Sequence, residues 1–147
     1  LDTSANHINA LIKMQKHYYL NDLIVMQGDF FDNNIYGKLC KVKFDTVFLF
    51  GIIHHLLRVG IQKKILFNYE DLIQMIFAMT NYGAIIEFAM PRERDFMLPE
   101  LKNYESKFSM DEFEMALSKC CTEYKNLGKC KYVSGNKYGR FMFTVLK

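Results

Sequence analysis

The stretch FDTVFLFGIIHHLL, residues 44–57, decides the predicted fold class of this chain. Its apolar run over residues 46–50 shows no alternation of polar and apolar side chains, which is typical of a central strand buried on both faces of a parallel sheet. The run stops at Gly51, and His54 and His55 follow. Ligands of open α/β sheets collect at the carboxyl ends of the strands. The stretch therefore predicts a central strand with a binding site at its end.

The composition predicts a single folded domain over residues 1–147. Half of the residues are apolar, and only 2 Pro and 8 Gly occur, which argues against disorder. The net charge of +3 comes from scattered basic residues, so solvated surface is a better interpretation than a nucleic-acid interface. No apolar run approaches the ~20 residues of a membrane span. We expect no contact with a membrane.

The four cysteines show neither a CxxC pair nor a histidine at zinc-ligand spacing. They predict no metal site and no disulfide framework. Free thiols in a reducing cytoplasm are the expected state, which places the protein in the cytoplasm.

Hydrophobic periodicity and turn residues predict alternating helices and strands. Helices are expected over residues 4–19, 69–80 and 110–124, with a short one after Gly51 as far as Leu57, a loop at Gly60, and loop or ragged helix over 32–43. Strands are expected over residues 23–27, 44–50, 84–88, 129–134 and 140–146. This alternation predicts an α/β fold: a mostly parallel sheet with helices on both faces, closed by an antiparallel hairpin that turns at residues 135–139.

Several of these segments resemble the class I S-adenosylmethionine-dependent methyltransferases, beginning at the end of that family's second strand. Leu1-Asp2-Thr3-Ser4 resembles its acidic strand end, and Gly28-Asp29-Phe30 resembles the adenine-binding turn after its third strand. Residues 44–51 resemble its fourth strand and Ile85-Ile86-Glu87-Phe88 its fifth, while the closing hairpin is similar to its sixth and seventh strands. The resemblance covers essentially the whole chain and implies a Rossmann-like sheet.

The resemblance also implies S-adenosylmethionine as cofactor. Asp2 would accept hydrogen bonds from the two ribose hydroxyls, Asp29 would accept one from the adenine amine, and Phe30 would form an apolar wall. The two aspartates also have structural interpretations: Asp2 could cap the first helix, and Asp29 could be an ordinary turn residue. Gly51 and Ile52 would lie along the cofactor.

His54 or His55 would act as general base toward the methyl acceptor. Successive helical residues point about 100° apart, so both cannot face one ligand, and one of them is expected to pack or cap. Glu87 could also face the acceptor, or it could pair with Arg92 or Arg94, and the pair is favoured.

One departure from the family pattern is that its Gly-rich loop is absent, since no GxG occurs in this chain. The family's first strand, which lies between its second and fourth, is missing as well. Its loss would leave backbone groups unpaired inside the sheet. We therefore expect that this chain is the carboxyl-terminal portion of a larger protein, or that another chain completes the sheet.

Two function classes remain open from the sequence. The first is methyl transfer to an unidentified acceptor, a small molecule or a protein in preference to a nucleic acid. The second is a non-catalytic methyltransferase-like module that binds a partner or acts as a scaffold. A nucleotide-binding domain of another kind is disfavoured because there is no P-loop.

Overall fold

The structure, a computed structural model, describes residues 4–19, 24–89, 106–130 and 139–147. The chain divides into two compact units, Leu1–Lys41 and Val42–Lys147, which are described separately below. The predictions for Asp2, Arg92, Arg94 and most of the hairpin turn over residues 135–139 lie outside the described residues.

The first unit contains two helices, α1 (Ala5–His17) and α2 (Asn33–Val42), the second of which ends one residue beyond the unit boundary. The helix predicted over residues 4–19 is confirmed, and Ser4 caps it by accepting a hydrogen bond from the His7 N–H at 3.4 Å.

α2 is a regular helix where a loop or ragged helix was expected. It is regular because the Asp32 carboxylate accepts hydrogen bonds from the first-turn N–H groups of Asn34, at 2.9 Å, and Ile35, at 3.1 Å. The strand predicted over residues 23–27 is wrong for the described part of that range, where Gln27 makes an isolated bridge and residues 24–26 are irregular.

The second unit holds a four-stranded mixed sheet. Its strands are β1 (Phe44–Leu49), β2 (Thr80–Ala89), β3 (Glu123–Lys129) and β4 (Arg140–Leu146), in the order β1-β2-β4-β3. β1 and β2 are parallel, whereas β2 with β4 and β4 with β3 are antiparallel. The α/β class is confirmed, but the expected excess of parallel pairs is not found among the described strands.

Three helices accompany this sheet: α3 (Ile53–Gln62), α4 (Tyr69–Ala78) and α5 (Met110–Cys120). α3 and α4 form the crossover between the parallel strands, and α5 packs on α4. Asn68 caps α4 and Ser109 caps α5, each through a side-chain oxygen that accepts from an N–H three residues on. None of the helices in the described ranges is long and apolar enough to cross a membrane.

Gly60 and Gly83 lie inside regular elements, although a loop was predicted at Gly60. Gly60 lies within α3, where an added Cβ would come within 2.3 Å of the Leu66 side chain. Gly83 lies within β2, where an added Cβ would come within 2.0 Å of the Val145 carbonyl oxygen. Both glycines permit close packing and do not end their elements.

The core of the second unit lies between one face of the sheet and the helices. Leu49, Ile86 and Phe143 share that face through the strand register, and all three are buried. Tyr69 of α4 and Phe113 of α5 contact Phe88 on the same face, with ring centroids 6.0 and 4.8 Å from it. These aromatic side chains join two helices to the centre of the sheet.

β1 is not buried on both faces as predicted. It lies at an edge of the described sheet, with β2 as its neighbour there, and Phe44, Phe48 and Phe50 are 37%, 59% and 58% exposed. These residues alternate along the chain, so one face of β1 is apolar and open while Leu49 on the other face is buried. Within the described sheet, the unbroken apolar run therefore belongs to an edge strand whose exposed face is apolar.

Candidate functional site

The carboxyl ends of β1 and β2 meet the start of β4 at one edge of the sheet. Gly51 follows β1, Glu87 lies near the end of β2, and Arg140 begins β4. β4 is antiparallel to β2, so its first residue lies opposite Ala89, which is the last residue of β2. The topology therefore brings a glycine turn, a carboxylate and a guanidinium together at the position where α/β sheets bind ligands.

Glu87 and Arg140 form a salt bridge at this edge. Arg140 Nη1 donates to Glu87 Oε1 at 3.1 Å, with the Glu87 side chain 2% exposed and the Arg140 side chain 31% exposed. Arg140 was not the predicted partner, and the favoured pairing of Glu87 with Arg92 or Arg94 falls outside the described residues. A buried carboxylate requires such a partner because desolvation disfavours its charge.

Gly51 occupies the turn between β1 and α3 in a left-handed conformation, with φ +64°. A Cβ at this position would lie 3.0 Å from Arg140 Nη1 and 3.4 Å from Glu87 Oε2. Glycine is needed here both for its backbone conformation and for its lack of a side chain. Ile52 follows as the N-cap residue of α3, without a side-chain cap, and is exposed.

His54 and His55 lie in the first turn of α3, and their ring centroids are 4.0 Å apart. His54 is half-buried and His55 is exposed. His55 Nδ1 lies 3.0 Å from Arg58 Nη2. Because a guanidinium can only donate, Nδ1 accepts this hydrogen bond and the proton of the neutral ring is on Nε2. The lone pair that His55 would use as a base is thus engaged by Arg58.

Asp29 and Phe30 belong to the first unit, where both have local structural roles. Asp29 Oδ1 accepts a hydrogen bond from the Phe31 N–H at 2.9 Å, which holds the turn before α2. Phe30 is buried, and its ring makes edge contacts with Phe31 and Tyr36. Asp29 therefore acts as a turn residue, which was one of its two interpretations from the sequence.

Arg140 and Cys130 are the residues of this edge that the sequence did not single out. The Cys130 N–H donates to the Arg140 carbonyl oxygen at 2.8 Å, since the two residues face each other where β3 ends and β4 begins. Burial raises the pKa of the Cys130 thiol, Glu87 raises it further, and Arg140 lowers it. The sequence could have indicated Arg140 by its position. An antiparallel last strand begins at the edge where the parallel strands end, and Arg140 begins β4.

All four cysteines are free thiols. Among the residues that the structure describes, no three His, Cys, Asp or Glu side chains converge in an arrangement that could hold a metal ion. Comparisons with known protein families, with curated proteins and with solved structures find no match to this chain.

Proposed function

We propose that this chain takes part in methyl transfer from S-adenosylmethionine to an acceptor, within a Rossmann-like sheet. The strand arrangement supports this proposal. The parallel pair of β1 and β2 is followed in the chain by antiparallel β3 and β4. That is the arrangement which the resemblance implies for the fourth to seventh strands of the class I methyltransferases.

The observation that carries the proposal is the glycine turn at the carboxyl end of β1. Gly51 lacks a side chain there, its φ of +64° disfavours other residues, and Ile52 beside it is exposed. A cofactor of this class would lie along Gly51 and Ile52. Asp2, Asp29 and Phe30 are assigned to its ribose and adenine by the resemblance.

The residues of α3 would serve the acceptor. The cofactor supplies a methyl group on a sulfonium, which an acceptor hydroxyl or amine attacks as it loses a proton. A neutral imidazole is suited to take that proton. Because Arg58 engages the His55 lone pair, His54 is the general base in this proposal and His55 a donor through Nε2–H.

The second candidate is a non-catalytic methyltransferase-like module. The observation that favours it is the local engagement of Asp29 and Phe30. Asp29 uses a carboxylate oxygen to hold its own turn, and Phe30 is buried against Phe31 and Tyr36. A module of this kind would keep the sheet and bind a partner without turning over a cofactor.

Titration calorimetry of the natural full-length polypeptide with S-adenosylmethionine and S-adenosylhomocysteine tests the proposal. Saturable binding of both is expected, with ATP as a control that should not compete. Gly51→Val should abolish binding, because its side chain would occupy the position beside Arg140. Gly37→Ala is the matched control, since no atom lies within 4 Å of its added Cβ. If the folded wild type binds neither compound, the proposal of methyl transfer is wrong and the non-catalytic module is favoured.

A further inference from the structure

We propose that Arg140 binds the acidic group of a carboxylate ligand whose apolar part lies against Phe50 and Ile52. The proposal rests on the proposed function only in identifying this ligand as the methyl acceptor. The binding itself follows from the donors of Arg140, from the burial of Glu87 and from the side chains on either side of Gly51.

The guanidinium of Arg140 carries more N–H donors than its hydrogen bond to Glu87 uses. Its single hydrogen bond within the described part of the chain runs from Nη1 to Glu87 Oε1, although a guanidinium carries five N–H donors. The side chain is 31% exposed, so part of it faces solvent. A guanidinium fork matches the two oxygens of a carboxylate, and such charge-assisted pairs are about twice as strong as neutral hydrogen bonds.

Glu87 is the positioning residue for this guanidinium. Its carboxylate is almost fully buried in β2 and cannot follow a mobile partner, so it restricts Arg140 to one orientation before a ligand arrives. The pair has no net charge. Recognition of the carboxylate must therefore depend on directed hydrogen bonds more than on long-range attraction. The variant Arg140→Lys should bind the carboxylate weakly, because a lysine lacks the guanidinium fork.

The turn at Gly51 supplies the apolar part of the site. The exposed side chains of Phe50 and Ile52 precede and follow Gly51, whose own lack of a Cβ lets the Arg140 guanidinium lie against the backbone. A ligand that carries an apolar body next to its acid can cover these side chains while the acid meets Arg140. Aromatic carboxylates combine both features.

Benzoate is the probe, and the isosteric neutral amide benzamide is its control. Each is titrated into the ¹⁵N-labelled chain while the backbone amide of Gly51 and the Nε–H of Arg140 are followed by NMR. Benzoate is expected to shift both signals saturably. Benzamide is expected to bind at least about tenfold more weakly, because it lacks the charge that strengthens the hydrogen bonds.

Variants assign the effect to Arg140. The double variant Glu87→Gln, Arg140→Gln, which removes both charges of the pair, should lose the benzoate response. Arg140→Lys should weaken it at least about tenfold, and Glu87→Gln severalfold. Lys125→Gln removes an exposed cation from β3 and should leave the response unchanged. Equal shifts with benzamide, no saturable shift with benzoate, or a response that survives the double variant would overturn the proposal.

This outcome is independent of cofactor binding. If benzoate binds through Arg140 while S-adenosylmethionine does not bind, the carboxylate site stands and the proposed methyl transfer fails. If S-adenosylmethionine binds and benzoate does not, the carboxylate site fails while the proposed function stands.

Discussion

The Arg140 side chain on β4 contacts the Glu87 carboxylate on the neighbouring antiparallel strand β2, at a diagonal position. The register places Arg140 opposite Ala89 and Met142 opposite Glu87, so Arg140 and Glu87 lie on one face two residues apart. Diagonal neighbours of this kind are within reach of long side chains, and the resulting distance from Nη1 to Oε1 is 3.1 Å. The pair joins β2 to the first residue of β4.

Removing one partner of this pair should cost more than removing both. Arg140→Gln removes the cation that pairs with the buried Glu87 carboxylate. We expect it to lower the free energy of unfolding by about 2 kcal/mol, less than the roughly 3–5 kcal/mol of a fully buried pair because Arg140 is partly exposed. Glu87→Gln combined with Arg140→Gln should recover at least half of the loss. Urea unfolding followed by circular dichroism measures this, and equal losses in both variants would show that Glu87 does not depend on Arg140.

Gly51→Ala should destabilise the chain by about 1–2 kcal/mol, because an L-residue at φ +64° is strained and its Cβ would crowd Arg140. Gly128→Ala separates the two causes, since Gly128 also has a positive φ but open space around its Cβ. Gly37→Ala, inside α2, should instead stabilise by roughly 0.5–1 kcal/mol. Thermal or urea unfolding of the three variants measures these changes in stability. A neutral Gly51→Ala would contradict the turn geometry.

Tyr69→Phe should leave stability unchanged at neutral pH or raise it by up to about 1 kcal/mol. The Tyr69 hydroxyl is buried and has no hydrogen-bond partner among the residues that the structure describes, so its removal relieves a desolvation cost while the ring contacts with Phe88 and Phe113 remain. A loss above about 1 kcal/mol on urea unfolding would show that the hydroxyl has a partner in solution.

The same side chain predicts how stability falls in alkali. Burial raises the pKa of the Tyr69 phenol above its ordinary value of 10.0, so the folded chain keeps the proton that the unfolded chain loses. Its contribution is fully present below pH 10.0 and is lost as the pH rises further. Burial and then Cys40 raise the pKa of Tyr36 in the same direction, so Tyr69→Phe should flatten the alkaline decline in part. An unchanged decline from pH 9 to pH 12, measured by urea unfolding, would contradict this account.

The two histidines should differ in their effect on methyl transfer. His54→Gln is expected to lower turnover by about 10²–10⁴-fold with cofactor binding intact, which is the usual contribution of a general base. His55→Gln should cost less, because Arg58 already occupies Nδ1 of His55. Turnover in the full-length polypeptide and cofactor titration are the two measurements. A larger loss for His55→Gln would reverse the assignment.

The sequence predicts most accurately the elements that have both an apolar face and a cap. α1 and α5 begin at Ser4 and Ser109, because short polar side chains that accept from first-turn N–H groups are a local signal for the start of a helix. β4 is predicted with its observed bounds, since its buried residues alternate with half-buried ones.

Other elements depend on tertiary contacts that the sequence does not show. β3 begins at Glu123 and ends where it was predicted to start, because an exposed edge strand has little apolar signal. The exposed face of β1 is apolar, so composition alone suggested burial. At the site, Gly51 was found from its place after the strand, whereas Arg140 depends on which strand lies beside β2.

An NMR titration of the natural full-length polypeptide with S-adenosylhomocysteine tests cofactor binding at Gly51 most directly. We expect saturable shifts of the Gly51 and Ile52 amides, at the carboxyl end of β1, with the amides at the opposite end of the sheet unchanged. Shifts that are absent, or that occur away from this edge while the protein remains folded, would contradict it.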